Sequence, residues 1–441
     1  MKVLSKGRQV QSNMKKIILS TGAVVVGVAS LQAAYAPNLS TMETSKPWSV
    51  SLAVRGFYDD NPFTAPSGKT EPSFGVEVTP TFSLNMALEQ TILSLNFAYS
   101  MRYYEARPDN NVDQSVILGG KLEHAFSERS KVQLYDTFIY SQEPTVIDPN
   151  GIITNPFRTD GNNFHNIGGL TFNRQMTELL GLEVGYLNNF YDYQQNAADV
   201  VSPGNPLGIG SRSALLDRME QLISLSLRYQ VNPKLIGILG YQFGMTDYNS
   251  DELIFGPPTP ITSEIKNNRA QYFFAGVDST INDRMSGALR LGGRYTDYYN
   301  NPGADNNVTP YADGSLSYTY NPGSFLQLGV KVDKNATDQV GSNAANATVD
   351  QQSAAVYASM THRITAKLSG NLLGQFQTSR FEGGSLDGQR DNFYIFGAGL
   401  NYMISRHISA DLTYSFNRLD SDLPDRSYSR NQVFLGIKGT Y

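Results

Sequence analysis

The most constraining feature of the sequence is a two-residue alternation of apolar and polar side chains that recurs along most of its length. From Leu93 to Tyr103 every second residue is Leu, Phe, Tyr or Met, and the residues between them are Ser, Asn, Ala and Arg. A period of two places successive side chains on opposite faces of an extended strand. The pattern therefore predicts strands that have one apolar face and one polar face.

The connections between these segments alternate strictly between short and long. Short polar turns, such as Ser127–Ser130 and Asn321–Ser324, separate long polar connections such as Tyr193–Asp217. An outer-membrane barrel has short turns at its periplasmic end and long loops at its outer end. Eight short and nine long connections join about eighteen strands. The sequence therefore predicts an all-β fold, a closed antiparallel transmembrane β-barrel with short periplasmic turns and long extracellular loops.

The composition agrees with a barrel and excludes several other classes. The mean hydropathy of −0.32 is too low for a bundle of membrane-spanning helices, because each helical span needs about 20 mostly apolar residues. The chain has no Cys, which excludes disulfides, thiolate metal sites and a lipid-modified N-terminal Cys. Its net charge of −5, with no basic stripe, argues against nucleic acid as a partner.

The N-terminal region has the form of a secretory signal peptide. Two lysines precede an apolar stretch, Ile17–Val28, and small residues suited to a signal peptidase follow up to Ala36. Cleavage at Ala33 or Ala34 stays open, and Met14 is an alternative start. The expected parts are a signal peptide at 1–36, a short periplasmic segment at 37–48 and the transmembrane barrel at 49–441, delivered to the bacterial outer membrane.

The end of the chain predicts a terminal strand that serves in assembly. Val433, Leu435 and Ile437 share one face, and Tyr441 is an aromatic final residue. We therefore predict these four residues as the signal by which the barrel assembly machinery recognises the chain. The other expected partners are outer-membrane lipid and lipopolysaccharide, and a homo-oligomer or an envelope protein partner is left open.

Two consecutive segments between Glu89 and Pro144 read EQTILSLNFAYSMRYYE and DQSVILGGKLEHAFSERSKVQLYDTFIYSQEP. The second segment contains a strand pair joined by the short charged turn at Ser127–Ser130. This arrangement resembles the β-barrel porin type 2 family of Gram-negative envelopes, and the similarity in pattern extends over most of residues 49–441. The resemblance implies an outer-membrane barrel with porin activity, and it supplies no functional residue.

If one strand face meets lipid, the other face lines the lumen. The alternation places charges of both signs there with a small cationic excess, and a field across the lumen would favour polar solutes. The alternative is that these charges pair between neighbouring strands and only stiffen the wall. The predicted inward cations are Arg55, Arg102, Lys121, Arg228, Arg290, Arg294, Lys331, Arg363, Lys367 and Lys438, and the predicted inward anions are Glu77, Glu123, Glu183, Glu220, Asp313, Asp333 and Asp411.

The sequence carries no pattern of an enzyme or of a cofactor site. The four His residues stand apart, without H-E-x-x-H spacing, so no metal site, cofactor or catalytic residue is predicted. We expect a pore for passive diffusion of small hydrophilic solutes or ions that is unselective or weakly favours anions, with the loop Tyr193–Asp217 as its constriction. The alternative is a non-conducting structural or anchoring barrel that binds envelope or surface partners through its loops.

Overall fold

The computed structural model describes residues 47–441, with gaps at 67, 108–109, 143–161, 302, 305 and 343–346. The predicted signal peptide at 1–36 and the predicted periplasmic segment as far as residue 46 lie outside the described residues. In the ranges that are described, no helix is both long and apolar enough to cross a bilayer.

Eighteen antiparallel strands follow one another around a single sheet. β1 (Trp48–Asp59) pairs with β2 (Ser73–Ala87) on one side and with β20 (Tyr428–Thr440) on the other, so the sheet closes on itself. The prediction of a closed antiparallel barrel of about eighteen strands is confirmed. The other barrel strands are β3 (Thr91–Tyr104), β4 (Val112–Ser127), β5 (Ser130–Ser141), β6 (Asn163–Gln175), β7 (Leu180–Tyr193), β8 (Arg218–Asn232), β9 (Leu235–Tyr248), β12 (Asn268–Asn282), β13 (Met285–Asp297), β14 (Asn307–Asn321), β15 (Ser324–Asn335), β16 (Asp350–Arg363), β17 (Leu368–Glu382), β18 (Arg390–Met403) and β19 (Ile408–Ser421).

The remaining elements among the described residues all belong to the long connections. A small separate hairpin consists of β10 (Leu253–Phe255) and β11 (Ile261–Thr262). One short helix, α1 (Arg212–Leu216), precedes β8, and its N-terminus is capped by the Ser211 hydroxyl, which accepts a hydrogen bond from the Ala214 N–H. Single 3₁₀ turns lie at Ala197–Val200, Ser263–Lys266 and Gly384–Leu386.

The lengths of the connections alternate as the sequence predicted. The eight short connections hold only two to four residues, as at 128–129 between β4 and β5, and the nine long ones include 194–217 between β7 and β8. Because consecutive strands run in opposite directions, all short connections lie at one end of the barrel and all long ones at the other. The short end is the periplasmic end, and the long connections are the extracellular loops.

The outer face of the barrel is apolar. In β1, Val50, Leu52 and Val54 are 46–49% exposed, whereas Ser51 and Ala53 between them are buried. Exposing apolar surface to water costs about 25 cal/mol per Å², and a belt of such side chains around a whole barrel suits hydrocarbon instead. This outer face is therefore suited to contact with lipid.

The seam between β1 and β20 joins strands from opposite ends of the chain. Nine residue pairs link the two strands in register. Val50 and Tyr441 extend this ladder by exchanging backbone hydrogen bonds of 2.9 and 3.2 Å, and the Tyr441 ring centre lies 6.0 Å from that of Trp48. On the inner side, Arg430 binds Asp59 in a buried ion pair. The seam is therefore secured by backbone and side chains alike.

The four residues predicted as the assembly signal face outward. Val433, Leu435, Ile437 and Tyr441 are 38%, 63%, 57% and 68% exposed. A surface of this kind is accessible to another protein before lipid covers it. The role of the four residues in assembly stays a prediction.

Leu435→Arg should destabilise the barrel because it places a guanidinium against hydrocarbon near the middle of β20. We expect the free energy of unfolding to fall by about 2–4 kcal/mol, measured by urea unfolding of the barrel refolded in lipid vesicles. Leu435→Met is the matched control and should change the unfolding midpoint little. An unchanged midpoint for Leu435→Arg would show that this side chain does not face lipid.

Candidate functional site: the inner wall and the loop lid

The structure places most of the predicted wall charges on inward positions. Of the seventeen predicted inward charges, these thirteen lie on the inner wall: Arg55, Arg102, Lys121, Glu123, Glu183, Glu220, Arg228, Arg290, Arg294, Asp313, Lys331, Asp411 and Lys438. Glu77 and Asp333 face inward as well. A role in lining a conducting pore stays a prediction for all of them.

Two predicted wall residues lie at the periplasmic rim instead. Arg363 is the last residue of β16 and is exposed. Lys367 lies in the turn between β16 and β17 and is also exposed, so its prediction as a wall residue is wrong. The physical reason is that β17 begins only at Leu368, and a side chain in the turn is not directed by the pleat of the sheet.

One ion cluster of the wall is centred on Arg55. Its guanidinium binds Asp411 at 2.9 Å and Glu77 at 3.4 Å. Arg102 binds the other oxygen of Glu77 at 2.6 Å. Arg55, Glu77 and Asp411 have side chains only 6–7% exposed. The cluster therefore ties β1, β2, β3 and β19 together through alternating charges.

A second ion cluster of the wall is centred on Asp278 in β12. Its two oxygens bind Arg228 and Arg290, each at 2.7 Å. Arg228 also approaches Glu183 to 3.5 Å. Asp278 was not among the predicted wall residues, although the alternation of β12 directs its side chain inward. The charges of both signs are again matched.

Smaller sets repeat this pattern elsewhere on the wall. Glu123 binds Lys121 at 2.7 Å and Lys131 at 2.5 Å, and Arg294 binds Asp333 at 2.9 Å. Opposite charges a few ångströms apart cancel each other's field within a short distance. The geometry therefore favours charges that pair along the wall over charges that build a field across the lumen.

Long connections from opposite sides of the barrel meet at its outer end. Arg212 follows β7 and Arg426 follows β19, and these connections are separated by eight strands in one direction around the sheet and ten in the other. Both arginines bind Asp338, which lies between β15 and β16. Arg426 makes two hydrogen bonds of 2.9 Å to its two oxygens, and Arg212 approaches to 3.3 Å.

A fourth connection joins this contact through a buried lysine. Lys266, which is 0% exposed, donates hydrogen bonds to the carbonyl of Leu215 at 2.8 Å and to that of Thr337 at 2.9 Å. We call the segments 211–217, 263–267, 336–340 and 422–427 the loop lid. The connection predicted as the constriction contributes α1 to the lid, and its effect on solute passage stays a prediction.

The loop lid has a small hydrophobic core beside its ion pairs. Leu216 and Ala214 of α1 are fully buried and pack with Tyr193 and Ile254, and Val340 packs against this cluster. Apolar contact of this kind fixes α1 in place without directional bonds. The lid is therefore a packed unit rather than a set of separate loops.

Burial shifts the pKa values of the charged groups of the lid. Burial alone raises the pKa of Asp338, but the charge and hydrogen bonds of Arg426 outweigh it and hold that pKa well below its usual range. Burial raises the pKa of Asp217 to about 7, against a hydrogen bond from Ser213. Burial lowers the pKa of Lys266 to about 7.

Sequence reasoning missed the residues that hold the lid together. Asp338, Arg426 and Lys266 lie in connections that have no period, so nothing in their spacing marks them as partners. Within the described ranges, no group of His, Asp and Glu side chains is arranged to hold a metal ion.

Comparison with known proteins finds a family model that matches this chain. A family model described as "Putative beta-barrel porin 2" matches residues 49–441. Curated protein sequences gave no match. Similar solved structures include a BenF-like porin from Pseudomonas fluorescens Pf-5 (11% identity, 90% of this chain and 99% of that chain covered, TM-score 0.44), the outer membrane protein opdK from Pseudomonas aeruginosa (12%, 89% and 99%, 0.40) and OccAB3 from Acinetobacter baumannii (12%, 89% and 99%, 0.42).

Asp338→Ala should loosen the loop lid, because it removes the acceptor shared by Arg212 and Arg426. Breaking a buried ion pair costs about 3–5 kcal/mol, so amide hydrogen exchange in the lid should become more than about 100-fold faster. The matched control is Asp420→Ala, which removes an exposed ion pair with Arg418 and should change exchange little. Unchanged exchange in Asp338→Ala would contradict the lid.

The stability of the lid should depend on pH through Asp217. Its pKa of about 7 exceeds the ordinary value of 3.8. Its contribution to the stability of the lid is therefore fully present below pH 3.8 and is lost as the pH rises through 7. The pKa of Lys266 is lowered from 10.5 to about 7, so its effect is the opposite. Its contribution to the stability of the lid is lost as the pH falls from 10.5 through 7.

Hydrogen exchange of α1, corrected for its intrinsic pH dependence, would measure this effect. We expect protection to fall between pH 4 and 7. Asp217→Asn keeps an oxygen acceptor for the Tyr193 N–H, which Asp217 binds at 2.7 Å, and should flatten the profile. An identical profile in wild type and variant would rule out this titration.

Proposed function

Because the chain belongs to the beta-barrel porin 2 family, we propose that it is a pore through which small hydrophilic solutes or ions diffuse passively. Membership of the family and the closed eighteen-strand fold make it an outer-membrane porin-like barrel and not an enzyme. Export through a cleaved signal peptide, insertion by the barrel assembly machinery and contact with lipopolysaccharide are part of the proposal.

The observation that carries the proposal is the polar inner wall of a wide barrel. Barrels of 16 to 18 strands leave room for an aqueous channel. The wall of this barrel carries ion clusters at more than one place around its circumference, including those centred on Arg55 and Asp278. Each of these clusters links side chains of nearby strands. The side chains of Arg102 and Glu183 in these clusters are each 27% exposed. Charged side chains at such positions would be costly against an apolar filling.

The pairing of the wall charges supports weak selectivity. In one cluster Arg228 and Arg290 are matched by Asp278 and Glu183. In the other, two arginines are matched by two carboxylates in the same way. A permeating ion therefore meets balanced charges rather than a wall of one sign. We propose that cations and anions pass at similar rates.

The loop lid favours a second candidate function, the non-conducting anchor. Segments from four connections meet at the outer end, and the shared carboxylate of Asp338 is 5% exposed. A lid that stays closed would leave the barrel as a scaffold whose loops bind surface or envelope partners. The two candidates differ in whether the protein conducts.

Liposome swelling with sugars of increasing size tests the proposal directly. Purified wild-type barrel should admit small sugars and exclude large ones, Asp338→Ala should admit them faster, and Asp420→Ala should match wild type. If neither wild type nor Asp338→Ala swells liposomes or carries current in planar bilayers, the pore is refuted and the anchor is favoured.

Asp278→Asn should turn a nearly unselective pore toward anions. The change leaves Arg228 and Arg290 without their shared counter-charge, so the wall gains one net positive charge. The measurement is the reversal potential in a planar bilayer under a salt gradient, with Asp420→Asn as a control outside the lumen. A shift toward cations, or none, would show that this wall is not on the ion path.

A further inference from the structure

One row of polar and small residues interrupts the apolar outer face of the barrel. Asp136 in β5 is in register with Gly168 in β6, Gly168 with Asn188 in β7, and Asn188 with Gln221 in β8. The alternation of each strand directs all four outward, and Asn166 lies beside them on β6. We call these five residues the polar row.

The polar row lies inside the apolar band rather than at its border. Along β5, Leu134 and Phe138 flank Asp136 on the outward side. Along β8, Met219 and Ile223 flank Gln221 in the same way, and Ile223 is 54% exposed. No other carboxylate in the described strands faces outward with apolar neighbours on both sides along its own strand. Mid-strand outward positions elsewhere hold residues such as Leu289, Leu328, Val356, Leu372 and Leu412.

Hydrocarbon cannot satisfy the side chains of the polar row. Asp136 accepts one hydrogen bond, of 3.0 Å, from the side-chain amide of Asn166. Gln221 reaches only the sulfur of Met219 at 3.6 Å. A carboxylate has about four acceptor sites and each amide has two N–H donors. A lipid tail offers no partner for them, so each group left unsatisfied costs free energy.

Glycines make the row accessible to a close neighbour. Gly120 in β4 and Gly168 in β6 stand in register on either side of Asp136. A Cβ at Gly168 would come within 2.9 Å of the Asp136 carboxylate, so the acidic side chain lies over the glycine. Small residues at a membrane interface let two surfaces approach closely enough for hydrogen bonds between them.

We propose that the polar row is the surface through which two copies of this chain pack together in the membrane. The row combines an acceptor, Asp136, with the amides of Asn166, Asn188 and Gln221, which both donate and accept. A copy related by a two-fold axis presents the same groups in reverse order, so donors face acceptors. This self-complementarity favours a second copy over a different protein. The proposal does not depend on whether the barrel conducts.

Disulfide cross-linking tests the interface, because the chain has no Cys and an introduced one is unique. Asn188→Cys and Gln221→Cys, expressed at full length and oxidised in outer membranes, should give a disulfide-linked dimer from at least one position. Val356→Cys, outward on the distant β16 and 51% exposed, should give none. No dimer from either row position, an equal yield from Val356→Cys, or adducts only with another protein would refute the proposal.

The triple change Asp136→Leu, Asn166→Leu and Asn188→Leu separates an interface from a tolerated polar surface. We expect dimer dissociation in vesicles, measured by energy transfer between labelled copies, to become at least about tenfold more favourable. The monomer should be at least as stable to urea as wild type, because its outer face becomes uniformly apolar. An unchanged dissociation constant, or a monomer that no longer folds, would contradict the proposal. Val356→Leu is the control.

Discussion

Backbone hydrogen bonding in a solvent that cannot form hydrogen bonds is the constraint on which the rest of the structure depends. Every N–H and C=O of a strand within hydrocarbon must find a partner in the sheet, and an open edge leaves a whole row of them unpaired. The ladder between β1 and β20 removes that edge. Once the sheet is closed, each side chain has only two destinations, the lipid or the lumen.

Most of the fold could be predicted because its signals are local. The two-residue period and the alternation of connection lengths are read within short windows, and the closed eighteen-strand sheet follows from counting them. Local signals also explain the error at Lys367. The apolar pattern does not mark where β16 stops and β17 starts, and a residue assigned to a strand end can belong to the turn.

The candidate site could be predicted only in part. Alternation indicates which charges face inward, as for Arg55 and Arg228, but a partner such as Asp411 or Asp278 is two strands away and depends on register. The contacts of the loop lid join connections that are far apart in the sequence, so no period exists to reveal them. The polar row, by contrast, was visible in principle, since Asp136 interrupts an otherwise apolar outward series between Val132 and Tyr140.

The seam also determines when the barrel can form. Its two strands are separated by nearly the whole chain, so the last pairing needed for closure has the largest sequence separation in the molecule, and forming such distant contacts is slow. A nascent chain that still lacks β20 cannot form the closed barrel. The barrel can therefore close only after the whole chain has been synthesised. Until then the sheet has an open edge, and an exposed strand edge is prone to aggregation. Protection of the unclosed sheet is thus a requirement of the topology itself.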